Sequence, residues 1–92
     1  MPALATHEAE LRLKNLAGWK IEAGELVRTF QFADFRAALR FVNSVGELAE
    51  TAGHHPDIDI RYNRVRLALV THDAGGLTGK DFDLAAKANG LA

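Results

Sequence analysis

The sequence predicts an α+β fold: a four-stranded antiparallel sheet with helices packed on one face. Two observations carry this. Segments with a helical apolar period and segments with alternating apolar residues follow one another in the order α-β-β-α-β-β-α. The strands of each pair are separated by a turn too short for a crossover, so each pair is a hairpin. Two hairpins with helices segregated from them pack as a sheet covered on one side.

The elements follow in chain order. Thr6 is read as the cap of a first helix, whose apolar positions are Ala9, Leu13 and Leu16 and which Gly18 ends. Glu8 and Glu10 fall in its first turn, where the helix dipole favours acids. Trp19 to Ile21 and Leu26 to Phe32 read as strands around the turn Glu22-Ala23-Gly24-Glu25, with Leu26, Phe30 and Phe32 on the face to be buried. Asp34 is read as the N-cap of a long helix with the stripe Phe35, Leu39, Val42, Val45 or Gly46, and Ala49, closed by Gly53. In His54-His55-Pro56 the proline forces His55 out of helical geometry. Ile58, Ile60 and Tyr62 alternate with Asp57, Asp59 and Arg61 as a half-buried strand. After a turn at Asn63-Arg64, Val65, Leu67 and Leu69 form the next strand, with His72 at its end on the opposite parity. Thr78-Gly79-Lys80-Asp81 has capping-box spacing and opens a last helix that runs through Ala88 and closes near Gly90.

With 92 residues the chain is read as a single domain, 1–92, whose small core makes oligomerisation a natural source of stability. A formal net charge of -1 argues against nucleic-acid binding, which depends on neutralising phosphates. The absence of cysteine excludes disulfides, thiolate catalysis and Cys-ligated zinc. Met1 to Leu16 has no apolar core of a signal peptide, and no run is long enough to span a membrane, so a cytoplasmic protein is expected.

The chemistry concentrates in His54, His55 and His72, three of the four histidines. The hairpin between them can return His72 to the adjacent pair. Histidine titrates near neutrality, so such a group can hold a base and an acid at once, which the elimination of water requires. Plainer readings stand beside this one. Adjacent loop histidines are often solvated surface residues. His72 can be a strand-end residue with a backbone partner, Asp81 a helix cap, Glu50 an exposed helix residue, Tyr62 and Trp19 core aromatics, and His7 a surface residue. Three histidines with Asp81 could also hold zinc or iron. Adjacent histidines project apart, however, and no His-x-His, His-x-Glu or HExxH spacing is present.

One pattern is more specific. Glu50, three residues, His54-His55-Pro56, five residues, Tyr62, nine residues, His72, eight residues, Asp81 resembles the signature of the pterin-4a-carbinolamine dehydratases. Gly18-Trp19, Phe32-Ala33-Asp34-Phe35, Tyr62-Asn63-Arg64-Val65, Thr71-His72 and Gly76-Leu77-Thr78 add to it, and the likeness runs from about Leu13 to Ala88. Gly53 and Ile58 depart from it, where many relatives carry an acid and an aromatic.

The resemblance implies a four-stranded antiparallel sheet with helices on one side and a homodimer or homotetramer. It implies a hydro-lyase that dehydrates the 4a-hydroxytetrahydropterin released by aromatic amino acid hydroxylases to the quinonoid dihydropterin, in tetrahydrobiopterin recycling, with no metal or organic cofactor. His54, His55 and His72 would then be catalytic, with His55 transferring the proton while His54 and His72 bind and polarise the hydroxyl. Glu50 and Asp81 would orient the site or the pterin, and Thr71 and Trp19 would line the pocket. Two further readings belong to other classes. One is a protein-binding role, as in animal members that partner a homeodomain transcription factor. The other is pterin binding without turnover, as in molybdenum-cofactor metabolism.

Overall fold

The computed structural model describes residues 2–92. Its elements are α1 (Thr6–Leu13), β1 (Lys20–Glu22), β2 (Glu25–Gln31), α2 (Phe35–Ala52), β3 (Asp57–Arg61), β4 (Arg64–Leu69), a 3₁₀ turn (His72–Ala74) and α3 (Gly79–Leu91). This is the predicted order. All strand neighbours are antiparallel and the spatial order is β1-β2-β4-β3. β2 and β3 therefore run parallel with β4 between them, so α2 has to carry the chain across the sheet rather than turn it back. The core lies between the helices and one sheet face, where Leu26, Phe30, Val65, Leu67 and Leu69 meet Ala9, Ala38, Phe41, Val45, Phe82, Leu84 and Ala88.

Several boundaries differ from the prediction. Thr6 does not cap α1; it is the first helical residue, after Ala5, which makes no side-chain cap bond. The segment before it is tied down by Leu4 N donating to Leu77 O at 2.7 Å, and Ala5 O already accepts from Ala9 N. α1 ends at Leu13, and Leu16 reaches the core from the following turn. Gly18 has φ +85°, and a Cβ there would sit 2.7 Å from the Arg28 guanidinium. β1 and β2 meet at a two-residue turn, Ala23 and Gly24, both with positive φ, the geometry that matches strand twist.

Asp34 caps α2 as predicted, accepting from Ala37 N at 2.8 Å. The buried stripe, however, is Ala38, Phe41, Val45 and Ala49, with Val42 and Leu48 half-buried. Phe35 and Leu39 are 46% and 37% exposed. Phe41 sets this rotation: its ring lies 4.6 Å from Phe30 and 4.9 Å from Phe32, an aromatic cluster that outweighs the stripe begun by Phe35 and Leu39.

Tyr62 is not on a strand face. It sits in the turn with φ +52° and is 66% exposed. The turn is Tyr62-Asn63, one residue earlier than predicted, because Arg61 pairs with Arg64. Asn63 fixes it by donating from Nδ2 to Phe32 O while its own carbonyl accepts from Phe32 N, both at 2.8 Å. β3 is an edge strand, so Ile58 stays exposed and only Ile60 is half-buried. β4 stops at Leu69, which puts His72 in the 3₁₀ turn beyond the strand.

A polar clamp closes the far end of the fold. Asn89 Oδ1 accepts from Trp19 Nε1 and from Arg28 Nη1, both at 2.7 Å, and Asn89 Nδ2 donates to Ala17 O. Arg28 also lies 4.2 Å over the Phe30 ring. Truncating Asn89 leaves the buried indole N–H without its acceptor and leaves the Arg28 Nη1 only the Ala17 carbonyl. In urea unfolding, Asn89→Ala should therefore cost about 2 kcal/mol, against about 1 kcal/mol for Asp34→Ala at the α2 cap. A cost for Asn89→Ala no greater than that for Asp34→Ala would refute the clamp.

Candidate active site

The site forms where α2 ends, β4 ends and α3 begins. α2 stops at Gly53, whose left-handed φ of +63° turns the chain. His54 N then donates back to Ala49 O at 3.1 Å. Pro56 prevents the helix from continuing, so the two histidines leave it in different directions.

His54 turns inward. Its side chain is 12% exposed, and its Nε2 is 2.6 Å from Asp81 Oδ1. Asp81 is fully buried, and its second oxygen accepts from Thr71 Oγ1 at 2.8 Å and from Thr78 N at 2.9 Å. The capping box predicted from Thr78 and Asp81 is present, and its acid also faces a histidine. His55 turns outward. Its Nε2 is 2.5 Å from Glu50 Oε2, with side chains 61% and 74% exposed.

The stretch from Thr71 to Gly76 closes on itself. The two residues bridge through Thr71 N to Gly76 O at 3.1 Å and the reverse bond at 3.4 Å. This holds Thr71 against Asp81 and leaves His72, its neighbour, exposed at the start of the 3₁₀ turn. A groove of about 180 Å³ opens beside His54, lined also by Ala52, Lys80, Asp83, Leu84 and Lys87.

The structure thus joins His54, Thr71 and Asp81 in one hydrogen-bonded network, pairs His55 with Glu50, and sets His72 next to Thr71. It does not bring Trp19 there. Trp19 binds Asn89, eight residues along α3 from Asp81, a helix rise of about 12 Å. Thr78 belongs to the network through its hydroxyl, 2.8 Å from that of Thr71. In the sequence Thr78 reads only as a cap, and the capping-box spacing is its one signal. Among the described residues, no group of three or more His, Asp or Glu side chains could hold a metal ion. What the arrangement offers is two imidazoles, each oriented by a carboxylate, one shielded and one in contact with water. That is the equipment of proton transfer.

The two pairs should differ sharply in energetic weight. Asp81→Ala deprives three donors of their acceptor and should cost about 3 kcal/mol in urea unfolding, whereas Glu50→Ala breaks an exposed pair and should cost about 0.5 kcal/mol. Equal costs would contradict the structural role given to Asp81.

Residues 2–91 match the model of the family described as pterin 4 alpha carbinolamine dehydratase. A protein of Acidobacterium capsulatum, provisionally named a pterin-4-alpha-carbinolamine dehydratase, is 63% identical over 91 residues, covering 99% of each chain. One of Chloroflexus aurantiacus with the same provisional name is 63% identical over 86 residues, covering 94% of this chain and 92% of its own. A crystal structure from Brucella melitensis, titled a transcriptional coactivator/pterin dehydratase, superposes with a TM-score of 0.94 at 35% identity over 98% of each chain. A pterin dehydratase-like protein described as a RuBisCO assembly factor in the alpha-carboxysome shares the fold, with a TM-score of 0.66 at 23% identity over 80% of this chain and 86% of its own.

Proposed function

The chain belongs to the pterin 4 alpha carbinolamine dehydratase family, and we propose that it removes water from a 4a-hydroxytetrahydropterin by histidine acid–base catalysis. The C4a–O bond breaks, the hydroxyl leaves as water with a proton from an acid, and a base takes the N5 proton. The C4a=N5 double bond of the quinonoid dihydropterin forms. No electrons are exchanged with a cofactor, so two positioned proton carriers meet the need.

The observation that carries this reading is the contrast between the adjacent histidines. His54 is held by a buried carboxylate and His55 by an exposed one. A shielded, oriented imidazole suits binding and polarising the substrate, and an accessible one suits exchanging protons with water. In this reading His55 transfers the proton, His54 and His72 bind and polarise the departing hydroxyl, and Glu50 and Asp81 orient the rings. Thr71 supports the pocket through Asp81. The enzyme would work without metal or organic cofactor, in the cytoplasm, as a homodimer or homotetramer, and would recycle the pterin of an aromatic amino acid hydroxylase.

The test generates the 4a-hydroxytetrahydropterin in solution and follows its ultraviolet absorbance. Wild-type protein should accelerate the decay, and His55→Ala should lose about 100-fold of that acceleration, the lower end of what a positioned acid–base group contributes. No acceleration by folded wild-type protein would refute the activity; full activity of His55→Ala would refute the residue's role.

A further inference from the structure

The cap of α3 and the anchor of His54 share one carboxylate, and the hydrogens that join them can be counted. Thr71 Oγ1 donates to Asp81 Oδ2 at 2.8 Å. That uses the only hydrogen of its hydroxyl. The 2.8 Å contact between the two threonine hydroxyls therefore has one direction: Thr78 donates and Thr71 accepts. Thr78 Oγ1 in turn accepts from Lys80 N at 3.3 Å. A one-way series of donors thus runs from the α3 backbone through Thr78 and Thr71 to Asp81. The Thr78 backbone N–H arrives at the same Asp81 oxygen at 2.9 Å. Oδ2 is committed to these donors, and Oδ1 is the oxygen left for His54. Thr78 is 1% and Asp81 0% exposed, so the carboxylate and the Thr78 hydroxyl are shielded from water and depend on these partners.

We propose that this series makes Thr78 a positioning residue of the site. It acts through Thr71 and Asp81 to hold His54 as the tautomer with hydrogen on Nε2. The lone pair is then on Nδ1, so a neutral His54 accepts a hydrogen bond from an O–H or N–H of the pterin. His55, whose carboxylate is exposed, has no comparable constraint. This division of roles deepens the dehydratase reading and rests on it. Without the Thr78 hydroxyl, the Thr71 oxygen loses its donor. Its hydrogen is then free to turn from Asp81, and the carboxylate that sets the His54 tautomer loses part of its support.

Imidazole ¹⁵N–¹H correlation spectra of the full chain test this, because a side chain that served only to cap α3 would leave the His54 tautomer unchanged. At a pH where the His54 ring is neutral, wild type and Thr78→Ser should show it with hydrogen on Nε2 alone. Thr78→Val should populate the Nδ1–H form and lower kcat for dehydration by about tenfold, a part of the roughly 100-fold or more that a positioned acid–base group supplies. A Thr78→Val ring that stays wholly in the Nε2–H form overturns the proposal. If Thr78→Val does not fold, Thr71→Val interrupts the same series one link nearer Asp81 without removing the cap, and the same criterion decides. The tautomer is read without turnover. A wild-type protein with the Nε2–H form but no dehydration would support the series while overturning the dehydratase reading.

Discussion

A carboxylate shut off from water has to be met by donors, and Asp81 is met by three from separate parts of the chain. His54 comes from the loop after α2, Thr71 from the end of β4, and the Thr78 backbone from the cap of α3. The sheet and the two long helices deliver these groups, but the buried acid requires them to arrive together. Leaving a donor or the acid unmet in such a place costs far more than an exposed pair contributes. The local rule that starts α3 and the arrangement that orients a histidine are therefore one arrangement, and a change to either is felt by both.

The rest of the fold serves this junction from a distance. Phe41 between Phe30 and Phe32 sets how α2 lies on the sheet, and with it where Gly53 releases the histidines. Asn89 binds the other end of α3 to Trp19, Arg28 and Ala17. α3 is thus held at both ends by polar contacts and along its length by Phe82, Leu84, Ala85 and Ala88. Rigid support of this kind is what lets Asp81 keep an ångström-scale relation to His54 while His55, one residue on, remains in water.

Much of this was legible in the residues. Short-range rules carry their own geometry, so the element order, the Asp34 cap, the Gly53 terminus and the Thr78–Asp81 capping box could be read directly. Errors arose where tertiary contacts overrode local patterns. An apolar stripe through Phe35 and Leu39 is as periodic as the true one, and only the aromatic cluster under Phe41 decides between them. Tyr62 continues an alternating strand in sequence, yet the pairing of Asn63 with the backbone of Phe32 ends the strand before it. Thr6 has the chemistry of a cap, but the Leu4 to Leu77 contact starts the helix around it. At the site, the spacing of Glu50, His54, His55, His72 and Asp81 was visible, whereas the hydroxyl contact between Thr71 and Thr78 was not. Thr71 and Thr78 stand seven positions apart across a loop, where no periodic pattern joins them. Trp19, placed by resemblance near the pocket, is held instead by Asn89.

In the proposed reading, the segments bearing His54, His55 and His72 form one pterin site. The most direct measurement titrates ring-¹⁵N-labelled protein with an unreactive 7,8-dihydropterin and follows the imidazole resonances. Those of His54, His55 and His72 should move together along a single saturation curve while those of His7 stay in place. Saturable pterin binding that leaves all three site histidines unmoved would contradict it.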